Sequence, residues 1–243
     1  MNNLRESGKL VEVKAYQQTD EKPDKLYSHL PTILAIAGDL RGRTVLDLGC
    51  GSGFYTREYI KMGARQVIGI DNSPGQLDIA RMRPDPRIMY KLKDFIVDEL
   101  PREIDIAVAP YVVNYPQNTE QLGKFFRNIH RSLKSGGKLV SIIDFPEGKY
   151  FKRYGTVHRI VGKPIDGAKI EIELHNDNEF LTGFSATYFK PDTLEKTLQS
   201  TKFRNIQWHK PVVSEEGYQK LGRGFWNDYL KAPEMGYLSA HKI

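Results

Sequence analysis

Three groups of residues have the types and spacing to do chemistry. Val45-Leu46-Asp47-Leu48-Gly49-Cys50-Gly51-Ser52-Gly53 runs a short apolar stretch into a turn with glycine at every second position. Glycine lacks the Cβ that fills the space beside other backbones, so such a turn lets main chain approach a flat or charged ligand. Asp71 closes Val67-Ile68-Gly69-Ile70-Asp71, a position from which a carboxylate can accept two hydrogen bonds from ribose hydroxyls. Asp94 closes the next apolar run, where a carboxylate can accept from an adenine amino group with Phe95 beside the ring. Together they describe an adenosine site; the plainer alternative is that both aspartates only cap loops. A nicotinamide dinucleotide fits less well, because the third glycine of G-x-G-x-x-G would fall on Phe54 and too little chain is left for a substrate domain.

These residues need a scaffold that aligns strand ends. Apolar runs alternate with helical patterns from Arg43 to Asp144, the order of a parallel sheet with crossover helices. Strands are expected at Thr44 to Leu48, Val67 to Ile70, Ile88 to Leu92, Ile104 to Ala109 and Lys138 to Ile143, mostly apolar as in strands buried on both faces. A helix follows Asn118, with Leu122, Phe125, Phe126, Ile129 and Leu133 at helical spacing and Gly136 as its stop. Beyond Asp144 the period changes: Ile170, Ile172 and Leu174 alternate with glutamates, and a polar turn at His175 to Glu179 leads to Phe180, Phe184, Ala186 and Tyr188, an antiparallel hairpin. Pro191 opens a short helix, and strands near Phe203 to Trp208 and Tyr237 to His241 complete the sheet. Ahead of the core, Tyr27 to Leu40 reads as a helix with Pro31 in its first turn, lying over the ligand side.

A chain of 243 residues, 40% apolar and 27% charged, fits one globular domain. The expected division is an N-terminal helical cap at 1–42, a ligand-binding core at 43–145, a hairpin insertion over the site at 146–190 and sheet-completing strands at 191–243. The fold class is α/β: a Rossmann-like, seven-stranded, mostly parallel sheet with helices on both faces. No run approaches the roughly 18 apolar residues of a membrane span and Met1 to Leu10 is too polar for a signal peptide, which points to the cytoplasm. One cysteine forms no internal disulfide and no usual zinc spacing, so no metal site is expected; Cys50 reads as a small packing residue. The net charge of +6 raises nucleic acid as a partner. The densest basic run, Arg81, Arg83, Arg87, Lys91 and Lys93, is broken by Asp85 and reads as a solvated surface.

VLDLGCGSGFYTR, VIGIDNSPGQLDIAR, the aspartate of KLKDF, IDIAVAPYVVNYP and LKSGGKLVSIIDFPE resemble, in order and spacing, the motifs of class I S-adenosylmethionine-dependent methyltransferases. The stretch from Thr187 to Leu230 also looks like a bacterial small-molecule subgroup that includes toxoflavin-type N-methyltransferases. The resemblance implies S-adenosylmethionine as cofactor and methyl transfer to nitrogen or oxygen. It sets Gly49, Gly51 and the backbone around Asp47 against the methionine part, with Asp47 shaping the turn. It gives Asp71 the ribose, Asn72 and Gln76 the ribose and adenine, Asp94 and Phe95 the adenine, and Ala109 the cofactor floor. Tyr16 matches an aromatic that folds over the cofactor, and Arg57 would pair with its carboxylate.

The acceptor pocket is expected beyond the ends of the fourth and fifth strands, near Tyr111, Asn114, Tyr115 and Asp144, with Tyr115 and Asp144 positioning the acceptor. His158 and His175 read as surface histidines, Tyr188 and Trp226 as core aromatics. Enzymes of this kind acting on adenine or glutamine amides carry Asp or Asn before Pro-Pro-Tyr, whereas this chain has Ala109-Pro110-Tyr111. A small-molecule acceptor is therefore expected and a nucleic acid or protein is the alternative. A binding protein that keeps the cofactor site without turnover is the further one.

Overall fold

A computed structural model describes residues 18–146, 152–176, 179–232 and 235–243. The sheet has seven strands: β1 Thr44–Leu48, β2 Gln66–Asp71, β3 Ile88–Leu92, β4 Ile104–Pro110, β5 Leu133–Asp144, β9 Phe203–His209 and β10 Met235–Lys242. Their order is β3-β2-β1-β4-β5-β10-β9. The first five are parallel, and β10 runs antiparallel to both β5 and β9. The order turns back between β1 and β4, the switch point at which α/β sheets hold ligands outside their strand ends.

β1 is buried along its whole length, as its apolar run predicts. β3 departs from that expectation: it is the sheet edge, with Met89 and Leu92 exposed, so its apolar run covers one face only. Between strands lie α1 Leu30–Ala37, α2 Phe54–Lys61, α3 Pro74–Arg81 and α4 Thr119–Ser132. Asn118 caps α4 by accepting from the Gln121 amide, and Leu122, Phe125, Phe126 and Ile129 are buried against the sheet. Burial of such side chains stabilises by about 1.5–3 kcal/mol each. The helix ends before Gly136, because Leu133 already pairs with Ile104 of β4 and begins β5. Strand pairing thus overrides the local stop signal. The expected leader helix is a π-turn, Lys25–His29, capped by Asp24 and continued by α1 with Pro31 in its first turn.

The insertion is larger than a hairpin. β6 Thr156–Ile160, β7 Lys169–Asn176 and β8 Glu179–Thr187 form a separate antiparallel sheet ordered β6-β7-β8. His158 and His175, expected at the surface, are each only 1% exposed. His158 faces Ile172 across the ladder, and the His175 ring packs edge-on to Phe180 at 5.8 Å while its Nε2 lies 3.1 Å from Glu173. Downstream, α5 Pro191–Ser200 starts at Pro191 as expected, and two further helices follow, α6 Glu215–Leu221 and α7 Arg223–Lys231. Trp226 of α7 is fully buried with Tyr154 and Tyr229, and Tyr188 is buried above β7, as core aromatics.

Candidate active site

A cavity of about 480 Å³ opens at the carboxyl ends of β1, β2 and β4. That volume lies within the roughly 300–1,000 Å³ of ligand-holding clefts. The glycine turn lines one side. Gly49 has φ 68°, and a Cβ there would overlap Val112 of the segment after β4, so both conformation and packing require glycine. The approach at Gly49 therefore serves protein packing beside the cavity. Cys50 is buried with its sulfur 2.9 Å from where a Cβ of Gly69 would stand, the packing role its position suggests.

Asp71 ends β2 on the cavity wall. Its Oδ2 accepts from the Gly51 amide and its Oδ1 from the Ser73 amide, each at 2.8 Å, so it ties the glycine turn to the start of α3. Burial pushes its carboxyl up, against the pull of those amides. Asn72 and Gln76 share this wall, and Gln76 Oε1 is buried with no partner among the described residues. Asp94 and Phe95 line the next stretch; Asp94 also caps its loop by accepting from the Ile96 amide at 2.8 Å. Loop capping and cavity lining thus coexist in both aspartates.

Tyr115 lines the same cavity, its ring edge-on to Phe95 at 6.3 Å. Thr182, Gly183 and Phe184 of β8 cover it from the insertion sheet, and Asp20 and Lys25 close it from the leader. Tyr111 joins the wall in a left-handed backbone at φ 64°, uncommon for a residue with a side chain. Its hydroxyl meets Tyr55 at 2.8 Å and His29 Nδ1 at 2.5 Å. Burial holds the His29 imidazole down to about 4.

Four expected site residues stand elsewhere. Asp144 is buried behind the wall, its Oδ1 2.9 Å from His158 Nε2, because β6 packs over the end of β5 and supplies the imidazole. It borders a small second chamber of about 30 Å³ with Lys22, Thr156 and His158. Arg57 is half-buried and donates to the Ser52 carbonyl at 2.8 Å, off the cavity wall. Asp47 is 1% exposed and accepts from the Thr56 hydroxyl at 2.5 Å, so its carboxylate holds α2, the helix after the turn, rather than the turn's amides. Ala109 is buried within β4, one residue before Pro110, which does line the cavity. Tyr16 lies outside the described residues.

Sequence reasoning missed Asp20, Lys25, Tyr55 and Phe184. Lys25 is the hardest to foresee, since a lysine in a polar leader is ordinarily solvated. Phe184 was within reach, as an apolar residue of the alternating run that roofs the strand ends.

Residues 45–137 match the model of a family described as a methyltransferase domain. An uncharacterized protein of Haemophilus influenzae is 25% identical over 94% of this chain and 93% of its own length. A tRNA U34 carboxymethyltransferase of Marinobacter nauticus is 29% identical over 59% of this chain, and a ribosomal protein L11 methyltransferase of Photobacterium profundum is 32% identical over 42%. The matched regions cover 44% and 33% of those two proteins, less than half of either. Among solved structures, an S-adenosylmethionine-dependent methyltransferase of Mesorhizobium loti aligns over 91% of this chain and 99% of its own, with a TM-score of 0.65 at 21% identity. That likeness carries the fold. Residues 45–137 thus resemble a methyltransferase domain, and the chain as a whole shares the fold of S-adenosylmethionine-dependent methyltransferases.

Proposed function

We propose that the protein is a class I S-adenosylmethionine-dependent methyltransferase, an enzyme of the EC 2.1.1 type, and that it methylates a nitrogen or oxygen atom of a small molecule enclosed in this cavity. One observation carries the reading: the adenosine-type wall of Asp71, Gln76, Asp94 and Phe95 and the aromatic wall of Tyr111, Tyr115 and Phe184 share one roofed space. When bound, S-adenosylmethionine supplies an activated sulfonium methyl. Asp71 and Asn72 would hold the ribose, Gln76, Asp94 and Phe95 the adenine, and the backbone at Gly49 and Gly51 the methionine part. The partnerless Gln76 Oε1 supports that fit, because a buried acceptor left unpaired costs about 1–3 kcal/mol.

The residues around the acceptor need mainly to orient it. Alignment with the reacting atoms about 3–3.5 Å apart supplies roughly 7–11 kcal/mol of barrier reduction. An amine with a free lone pair needs no base, so Tyr115 acts here by position. The division into cap (1–42), core (43–145), roofing insertion (146–190) and sheet-completing segment (191–243) belongs to the same proposal. The relatives named for tRNA and ribosomal protein make a macromolecular acceptor the second reading.

The test is a screen for S-adenosylhomocysteine release over a metabolite library, with unmodified tRNA and ribosomal protein L11 run alongside. Turnover on a metabolite is expected, and Tyr115→Ala should reduce it while keeping S-adenosylhomocysteine affinity within about twofold. Turnover on tRNA or protein alone would sink the small-molecule reading. Cofactor binding with no turnover on anything would point to a protein that binds without catalysis.

A further inference from the structure

Among the described residues lining the cavity, three are carboxylates, Asp20, Asp71 and Asp94, and one is a cation, Lys25. Lys25 Nζ lies 2.5 Å from Asp20 Oδ1, 4.6 Å from the Phe54 ring centroid and 5.3 Å from that of Tyr55. Its side chain is 8% exposed. Asp20 Oδ2 accepts from Ser52 Oγ at 3.4 Å, which fastens the pair to the glycine turn. Two opposite charges thus stand side by side at the turn end of the cavity, Nζ fixed over two aromatic faces. α2 begins beside them at Gly53 with no side-chain cap, an end whose dipole favours a negative group.

An anion alone would engage Lys25 and leave Asp20 repelling it; a cation alone would do the reverse. A zwitterion satisfies both. We propose that Asp20 and Lys25 clamp the amino-acid end of the bound cofactor, Lys25 pairing with its α-carboxylate and Asp20 with its α-ammonium. The inference rests on the reading of this cavity as the S-adenosylmethionine site. The ligand has one carboxylate, and among the described residues the cavity wall offers one cation to receive it. Arg57, the residue that the sequence resemblance assigns to that carboxylate, instead spends its guanidinium on the Ser52 carbonyl. Complementary charges of this kind also fix direction, since the reversed ligand would set its carboxylate against Asp71 and Asp94.

Calorimetry with two probes separates the clamp from the rest of the site. S-adenosylhomocysteine carries the amino acid; 5′-methylthioadenosine keeps adenine, ribose and thioether without it. Lys25→Met should weaken S-adenosylhomocysteine binding at least tenfold and leave 5′-methylthioadenosine within twofold, with Lys25→Arg recovering most of the loss. Asp20→Asn should show the same selectivity, and carries the comparison if Lys25→Met does not fold. Equal weakening of both probes, or of neither, overturns the clamp while leaving the adenosine site standing. A wild-type protein that binds neither probe overturns the cofactor-site reading itself.

Discussion

Asp47 shows what a sequence says about a residue and what it withholds. Its place before the glycine turn was legible, since Asp-Leu-Gly-x-Gly has a local meaning. Its energetics come from tertiary burial. Desolvation pushes its carboxyl up to about 7, against the hydroxyl of Thr56, with Asp71 raising it further and Lys25 pulling it back. An acid raised above its unfolded value of about 3.9 contributes stability below that value and loses it as pH climbs through the folded one. Asp47→Asn removes this titration, so its stability relative to wild type should rise between pH 4 and pH 7. Urea unfolding across that range measures it. His29, held down to about 4, is present in both proteins and largely cancels in the difference. A pH-independent gap would mean that Asp47 titrates normally. Asp71 and Asp94 were legible for the same local reason as Asp47; Lys25 and His158 were not, because their burial depends on the leader and β6 packing over the core.

The sheet elements were readable because a strand buried on both faces writes its apolar run directly into the sequence. β6 was not, since Thr156, Val157 and His158 are all buried without an alternating pattern to announce it. α6 and α7 were missed too: their buried side comes from an aromatic cluster shared with Tyr154, distant in sequence. What joins the insertion to the core is also tertiary. Asn114 is 1% exposed, and its amide donates to the Thr187 carbonyl at 2.9 Å while its Oδ1 accepts from the Asp144 amide at 2.9 Å. Its backbone carbonyl accepts from the Thr187 amide at 2.8 Å. One side chain therefore ties the segment after β4, the end of β5 and the end of β8. Asn114→Ala leaves buried partners unpaired and should cost about 1–3 kcal/mol of stability. Hydrogen exchange of the β8 amides near Thr187 should quicken more than that of β1. Uniform quickening across the sheet would show that Asn114 supports the core alone.

At the scale of the whole molecule, the question is where a net charge of +6 leaves its field. Several exposed arginines are already paired. Arg41 meets Asp39, Arg81 meets Asp78, Arg87 meets Asp85 and Arg102 meets Glu99, at 2.7 to 3.3 Å. Two of these pairs fall in the basic run that most invited a nucleic-acid reading, so its charge is partly spent before any phosphate arrives. Among the described residues, the cavity lining carries three carboxylates against one ammonium, a wall that disfavours a polyanion. A basic run broken by Asp85 and partly paired offers few contiguous phosphate contacts and releases few counterions, so affinity for nucleic acid should be low and should fall quickly with salt. The expected outcome is weak binding of unmodified tRNA at low salt, in the nonspecific range of about 10⁻⁴ to 10⁻⁶ M, lost by about 0.15 M salt. Fluorescence anisotropy across a salt series reads this directly. Tight binding that persists at physiological salt would require a contiguous basic surface beyond this run. It would move the acceptor from an enclosed small molecule to RNA, whatever the roof over the cavity suggests.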